Sequence, residues 1–478
     1  MISNKIFFGW CMIFLALLSA AFPGRAAGIT ITQEEELGKE FFKIVSQRHQ
    51  LIQDPLILAT VRKIGRKIVS VMPPQPFDYR FYVIKETVYN AFAGPGGQIF
   101  INSGLLETME SMDELAGILS HEIAHVYMRH VSKGIDRSKK IGMATLAGML
   151  AGIMLGVGGG AAVTGNAVTL GSMAAGQSVA LAFSREDEIQ ADQVGMDYLI
   201  KAGFSGAGAL MILKKIRSKQ WFDSQQVPGY LSTHPALEER IVYVGTRLEG
   251  QGAPGASRPE AVVESFRRTV NRTLALYGDE NLALEKLKAA VADRPEDLEA
   301  NYGYGLILAR TGNRKDAIKH FQTALAKKAF DPLLLQDLGA VYFLDGRYAE
   351  ALNLLEGALG QDPDNSDGLF FLGRTQMELA DLPAAVRTLE GLVNKNPDYP
   401  QAVYFLSEAY GRQGKLGQAY YYLGLYYRQR GDYPKARFQL KRAREKTTDP
   451  EQQQKIDRML KDMDTEPRVE GPPGYRFF

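Results

Sequence analysis

From Glu34 to Met72 apolar positions recur at helical spacing with charges between them, and Pro73-Pro74 stops the pattern, which predicts one or two helices. From Phe77 the alternation changes. Strands are expected at Tyr79 to Lys85, in a short segment around Val88 to Ala93, and at Gln98 to Asn102 after the turn Gly94-Pro95-Gly96-Gly97. A further helix starts at Ser111, because Ser111 and Glu114 stand at the spacing of a capping box, and it is expected to run to about Lys133. Between Lys140 and Arg185 the chain carries no charge, and Gly148, Gly152, Gly156 and Gly160 recur at every fourth position. On a helix such glycines form a flat ridge that lets a second backbone approach closely. Two readings stand: a hairpin that dips into a bilayer or gates a site, or a tightly packed Gly/Ala loop of a soluble protein. Thr164, Asn166, Thr169, Ser172, Gln177 and Ser178 argue against two full membrane spans.

After Pro254 and a linker over 253–260 the chain becomes wholly helical and periodic. Alanines stand at 283, 317, 351, 385 and 419, a spacing of 34. Gly305, Gly339 and Gly373 keep that register, as do Leu287, Phe321, Leu355, Leu389 and Leu423, with Pro295, Pro363 and Pro397 at unit ends. After Ala419 the register shortens to Ala436, so one helix is expected to serve two units. This pattern resembles tetratricopeptide repeats, which implies antiparallel helix pairs stacked into a solenoid whose concave face binds protein.

With 45% hydrophobic residues, 23% charged residues and a net charge of +2, the 478 residues read as an ordinary globular chain, with nothing that points to nucleic acid. The N-terminus changes the picture. Lys5, the apolar run Ile6 to Ala21 and the small residues around Gly24-Arg25-Ala26-Ala27 predict a cleaved secretory signal over residues 1–26. A retained anchor is the rival, although the run is shorter than the ~20 residues of a spanning helix. The one cysteine, Cys11, lies inside that segment behind Trp10, a poor setting for lipoprotein processing. The mature chain is therefore expected to hold no disulfide and no catalytic thiol.

Candidate chemistry sits on the helix after the strands. His121-Glu122-Ile123-Ala124-His125 places two imidazoles four residues apart, one above the other on a helix, so both can point at one ion with Glu122 beside them. A catalytic zinc needs a third protein ligand and an open position. Glu188 and Asp192 share a helix face, so one can ligate while the other supports a ligand imidazole, whereas Glu186 and Asp187 are read as an acidic first turn pointing elsewhere. Of the six histidines, His130 is expected on the surface, and His49 and His320 in solvated helices. His234, in Thr233-His234-Pro235 with Arg240 on the following helix, has three readings: an oxyanion stabiliser, a fourth ligand that silences the site, or a residue of a helix start.

Asn90-Ala91-Phe92-Ala93 with Gly96-Gly97, the turn His121 to His125, Glu188-Ile189-Gln190-Ala191-Asp192 and Thr233-His234-Pro235 occur in order between residues 80 and 240. Together they resemble the zinc metallopeptidase family that contains the heat-shock protease HtpX and the CAAX prenyl-protein endopeptidases. The resemblance implies one Zn2+ per chain held by His121, His125 and Glu188, with Asp192 in support and Glu122 as base. The flanking membrane spans of the integral-membrane relatives are missing, so a prenylated substrate is not expected. A signal and a repeat arm imply a periplasmic member that clears or matures outer-membrane proteins beside the barrel-assembly machinery.

The expected architecture is α+β and mainly α: a gluzincin-like metallopeptidase domain with a small sheet over 27–252, including the apolar insertion 141–184, then an all-α tetratricopeptide-repeat solenoid over 261–464 and a tail over 465–478. The expected mechanism is metal-assisted peptide hydrolysis, with the catalytic residues Glu122 and His234 and an extended substrate paired along the strand edge Asn90, Ala91, Phe92 and Ala93. Partners are protein substrates, foremost unfolded outer-membrane proteins, with peripheral membrane contact as an option. Two rivals remain: a chaperone or scaffold with a mostly closed zinc site, and a membrane-associated endopeptidase.

Overall fold

The computed structural model describes residues 29–137, 143–154, 183–222, 229–249 and 258–465. The first apolar run resolves into two helices, α1 (Ile31–Arg48) and α2 (Pro55–Val69). Each has a local reason to start. Thr30 and Gln33 form a reciprocal capping box, and Asp54 accepts the Ile57 N–H ahead of Pro55, whose fixed φ suits a first helical turn.

The expected strands appear as β1 (Arg80–Ile84), β2 (Ala91–Gly94) and β3 (Gln98–Asn102). Their order is β1-β3-β2, with β3 parallel to β1 and antiparallel to β2, Phe92 facing Phe100. The turn between β2 and β3 needs its glycines: Gly97 has φ 82°, and a Cβ there would meet the Asp78 carbonyl oxygen at 2.8 Å.

After the short α3 (Ser103–Leu106), helix α4 (Met112–Tyr127) runs through the middle of the domain, buried at every residue from Glu114 to Val126. Only half of its expected capping box forms. Ser111 accepts the Glu114 N–H, but the Glu114 carboxylate turns to Lys215 at 2.8 Å. Nor does the helix reach Lys133. It stops at Tyr127, Arg129 takes the left-handed φ of 55°, and α5 (His130–Arg137) starts in a new direction. The break is held from a distance, since the Arg129 guanidinium bonds Glu34 at 2.8 Å and the Ile29 carbonyl at 2.8 Å.

Helix α6 (Met143–Met154) lays Leu146, Ala147, Leu150, Ala151 and Met154 into a core shared with Leu37, Phe41 and Val45 of α1 and with Phe92 and Phe100. Among the described residues a Cβ at Gly148 or Gly152 would meet nothing within 4 Å. Gly156 and Gly160, the rest of the expected hairpin, the signal over 1–26 and most of the linker lie outside the described residues. Among the described residues no helix is long and apolar enough to cross a membrane.

Among the described residues, four helices complete the first domain: α7 (Arg185–Lys201), α8 (Gly206–Phe222), α9 (Gly229–Thr233) and α10 (Leu237–Glu249). Helices α7 and α8 flank α4, and Gly195 lets α7 approach so closely that a Cβ there would lie 2.9 Å from the Ser120 carbonyl oxygen.

The repeat arm begins with α11 (Glu260–Tyr277) and α12 (Glu280–Asp293), followed by the pairs α13 (Leu298–Arg310) and α14 (Arg314–Lys327), α15 (Pro332–Leu344) and α16 (Tyr348–Leu359), α17 (Ser366–Glu378) and α18 (Leu382–Lys395). It ends with α19 (Pro400–Arg412), α20 (Leu416–Gln429), α21 (Tyr433–Lys446) and α22 (Pro450–Thr465). The periodic glycines mark the crossings: a Cβ on Gly339 would meet Leu355 at 2.8 Å and one on Gly373 would meet Leu389 at 2.6 Å. Gly424 meets Leu440 at 2.6 Å in the same way, so α20 closes one unit through Ala419 and opens the next.

The arm is seated on the first domain through α11, whose Phe266 joins the core of that domain. A buried polar cluster fastens the seat. Arg272 donates to Asp54 of the first domain at 2.5 Å and to Asp337 of α15 at 2.5 Å, and Tyr302 donates to Asp337 at 2.7 Å.

Candidate metal centre

Four side chains converge on one point. One ligand atom each from His121, His125, Glu188 and His234 lies within 4.8 Å of the others, and all four residues are buried. Helix α4 supplies both imidazoles because positions four apart stack on one face. Helix α7 supplies the carboxylates, and its start is fixed by a capping box in which Ser184 accepts the Asp187 N–H at 3.1 Å and donates its own N–H to Asp187 at 3.0 Å. The segment between α9 and α10 brings in His234, whose N–H bonds the Tyr230 carbonyl at 2.8 Å.

The hydrogen bonds set the ring orientations. Asp192 Oδ1 lies 2.8 Å from His121 Nδ1, which makes that nitrogen the donor and turns Nε2 inward, 3.0 Å from His125 Nε2 and 3.4 Å from Glu188. His125 likewise turns Nε2 inward and places Nδ1 3.0 Å from His130 Nδ1. His234 Nδ1 sits 3.0 Å from Glu188 Oε1, and its Nε2 is 3.5 Å from Glu122 Oε1.

One cation ties the carboxylates together. Arg240, 2% exposed, grips Asp192 with two bonds of 2.8 Å, reaches Glu188 at 2.8 Å and donates to the Tyr230 hydroxyl at 3.1 Å. Burial opposes ionisation of Asp192, yet Arg240 and His121 outweigh it and hold the carboxyl down at about 2. Glu188 is treated the same way: burial raises it, but His234 and Arg240 keep it well below the usual carboxylate range. Burial and Arg240 oppose charge on His121, while Asp192 and Glu188 win and push it up to about 9. Burial and the neighbouring His121 hold His125 well down. Glu122 is the exception among the acids. Its burial dominates and raises it, and neither oxygen has a hydrogen-bond partner among the described residues.

This chemistry suits a borderline-soft divalent ion: two inward imidazole nitrogens and an ionised carboxylate, each oriented by a bond on its far side, and a third imidazole. The cluster is enclosed. His121 is 4% exposed, and Glu122, His125, Glu188 and His234 are 0% exposed.

The expectation for His130 is overturned. It is buried, because the helix break at Arg129 swings it back beside His125 rather than leaving it on a continuing helix face. Its Nε2 lies 3.4 Å from Gln190 Oε1 and 3.7 Å from Asp187 Oδ1, so Asp187 also faces this group instead of pointing away. His49 and His320 are not free in solvent either: His49 bonds Glu86 at 2.8 Å and His320 bonds Asn301 at 2.8 Å. Asn90, Ala91, Phe92 and Ala93 lie along an outer strand of the sheet but are buried, and the Asn90 amide donates to the Met154 carbonyl at 2.7 Å.

Two aromatic residues escaped the sequence reading. Phe183 stacks on His125 with ring centroids 3.9 Å apart, and Tyr230 stacks on His234 at 4.3 Å. The only sequence signal for either was proximity, one just ahead of Ser184 and the other four residues before His234.

Comparison with known proteins bears on the same residues. Residues 58–247 match the model of Peptidase family M48, and residues 278–332 and 342–405 match two tetratricopeptide-repeat models. The beta-barrel assembly-enhancing protease of Yersinia pestis is 28% identical over 327 residues, 67% of this chain and 64% of that protein. Its counterpart in Escherichia coli K12 is 27% identical over 351 residues, 70% of this chain and 68% of that protein. The chain thus spans about two thirds of the length of these relatives. The mitochondrial metalloendopeptidase OMA1 of Arabidopsis thaliana is 27% identical over 195 residues, 41% of this chain and 37% of that one.

Proposed function

We propose that this chain, a metalloprotease carrying tetratricopeptide repeats, is a zinc-dependent endopeptidase of the periplasm that cleaves misfolded or stalled outer-membrane proteins and assists their assembly. The observation that carries the chemistry is the convergence of His121, His125 and Glu188 beside Glu122, a buried carboxylate whose two oxygens accept no hydrogen bond among the described residues. The names of the bacterial relatives, the repeat arm and the signal expected over 1–26 support the setting and the clients.

In this reading His121, His125 and Glu188 hold the ion through His121 Nε2, His125 Nε2 and a Glu188 oxygen. When bound, zinc supplies a Lewis acid that brings water towards neutrality in pKa and polarises a carbonyl. Glu122 takes the proton of the attacking water and returns it to the leaving amine; burial keeps its carboxyl raised, which favours holding a proton between those two steps. Asp192 fixes the His121 tautomer, and Arg240 keeps Asp192 and Glu188 ionised. His130 plays the corresponding part for His125: it accepts the Nδ1 proton and hands its own Nε2 proton towards Gln190 and Asp187. An extended client pairs along β2 once the cover over that strand is displaced, a mode of binding that reads backbone rather than sequence.

His234 closes the site. Its Nδ1 lies among the ligand atoms, so it occupies the position where water and a scissile carbonyl must enter. This enclosure also supports a second reading, in which the arm works as a chaperone or scaffold while the centre stays shut. Metal removal separates the two. The chain freed of zinc by a chelator should lose casein cleavage and regain it with one equivalent of zinc, and His125→Ala should bind no zinc at micromolar concentration. Cleavage that survives the chelator would sink the metalloprotease mechanism, and stoichiometric zinc with no cleavage even in His234→Ala would favour the scaffold.

A further inference from the structure

The face of the repeat arm that receives the first domain continues beyond it. Arg272 on α11, Tyr302 on α13 and Asp337 on α15 gather around Asp54, so this face already holds one mid-chain carboxylate from outside the arm with a buried guanidinium. One repeat on from Asp337 stands Phe371 of α17, and one more repeat on stands Phe405 of α19, both in the same register. A helical turn beyond Phe371 is Arg374.

Arg374 has no carboxylate in direct contact, although Glu378 and Glu408 lie near enough to act on its charge. Its guanidinium carbon lies 4.2 Å from the Phe405 ring centroid, 4.5 Å from that of Phe343 and 5.6 Å from that of Phe370. Among the described residues it has neither a hydrogen bond nor an ion pair. The nearby acids are engaged elsewhere, since Arg412 binds Glu408 at 2.5 Å and lies 3.8 Å from Glu378. Burial among the rings pushes the guanidinium pKa down, the mark of a charge stripped of part of its water. Ring contacts engage a guanidinium through its faces and leave the N–H edge for an acceptor. Beside it Tyr404 is 40% exposed and packs on Phe405 and Tyr426 with centroids 5.3 Å apart in each case.

We propose that Arg374, with Phe405 and Tyr404, is a docking site for an extended protein segment that presents one Asp or Glu side chain between apolar neighbours. The carboxylate completes Arg374 as Asp54 completes Arg272, and the rings cover the apolar flanks. The site refines the protein-binding role of the arm and uses none of the zinc ligands, so its failure leaves the peptidase reading untouched.

The test is fluorescence anisotropy on the full chain carrying Glu122→Gln, which prevents cleavage of the probes. The probes are two fluorescein-labelled, C-terminally amidated peptides of Gly and Ser around Phe-Asp-Leu or Phe-Asn-Leu. The Asp peptide should bind about tenfold tighter or better, the range of a charge-assisted bond. Arg374→Gln should bring the ratio to about one without changing Kd for the Asn peptide, and Arg374→Lys should keep part of the preference, because it retains the charge but not the fork. Equal binding of the two peptides, no saturable binding of either, or a preference that survives Arg374→Gln would overturn the proposal. The two-peptide comparison needs no substitution at Arg374, so a folding defect in that variant leaves the test decisive.

Discussion

Replacing Arg272 by methionine removes the cation at the seam between the peptidase domain and the repeats. The side chain is 5% exposed and bonds Asp54 and Asp337 at 2.5 Å each, so its loss strands two buried carboxylates. Breaking a buried pair on one side costs about 3–5 kcal/mol. The lower end applies here because each acid keeps other donors. Asp54 still accepts the Ile57 N–H at 3.1 Å, and Asp337 still accepts from Tyr302 at 2.7 Å and from Gln336 at 3.1 Å. We therefore expect a loss of about 3 kcal/mol, read from the midpoint of urea unfolding by circular dichroism, with the first transition analysed alone because a two-domain chain need not unfold in one step. Adding Asp54→Asn and Asp337→Asn to Arg272→Met should recover about half of that loss, since the stranded charges are gone while hydrogen bonds remain. A loss below about 1 kcal/mol, the size of an exposed pair, would refute the argument. So would a triple variant less stable than the single one.

Three further outcomes follow from named contacts. His130→Ala should keep the fold and weaken zinc binding by about 10- to 100-fold in competition with a chromogenic chelator, and His130→Asn should restore part of it; unchanged affinity would remove His130 from the support of His125. Burial pushes Glu107 from 4.5 up to about 7, so the folded chain binds its proton more tightly than the unfolded chain does, and stability should fall by about 3 kcal/mol as pH rises from 4.5 to 7. Glu107→Gln should remove that component from the pH profile of the urea midpoint, and an unaltered profile would contradict it. Gly195→Ala pushes a methyl to 2.9 Å from the Ser120 carbonyl oxygen, and should cost about 1–3 kcal/mol and weaken zinc binding by moving Glu188 relative to His121. A variant as stable as the parent would mean that the two helices are free to separate.

What the sequence discloses and what it hides divide by range. The spacing of His121 and His125, the strands around Phe100 and the 34-residue register are properties of neighbours in the chain, and local geometry suffices to read them. Ser111 shows how far such reading goes, because its half of the capping box forms while Glu114 is drawn away by Lys215, 101 residues later. His130 is invisible in this way: its place beside His125 depends on a helix break pinned by Glu34, 95 residues before Arg129. The sequence marks Arg240 only as a cation following His234, and nothing local says that it spans Asp192, Glu188 and Tyr230. The glycine ridge is regular in the sequence, but among the described residues its members Gly148 and Gly152 meet no neighbour within 4 Å.

The central claim is that Glu122 performs proton transfer beside a zinc held by His121, His125 and Glu188. It is tested most directly by measuring zinc content and casein cleavage on the same preparations of wild type, Glu122→Gln and His234→Ala. The account predicts about one zinc in each, no cleavage by Glu122→Gln and faster cleavage by His234→Ala, because the base is lost in one and the closing imidazole in the other. Cleavage by Glu122→Gln at the wild-type rate, with zinc bound and contaminating proteases excluded, would contradict it.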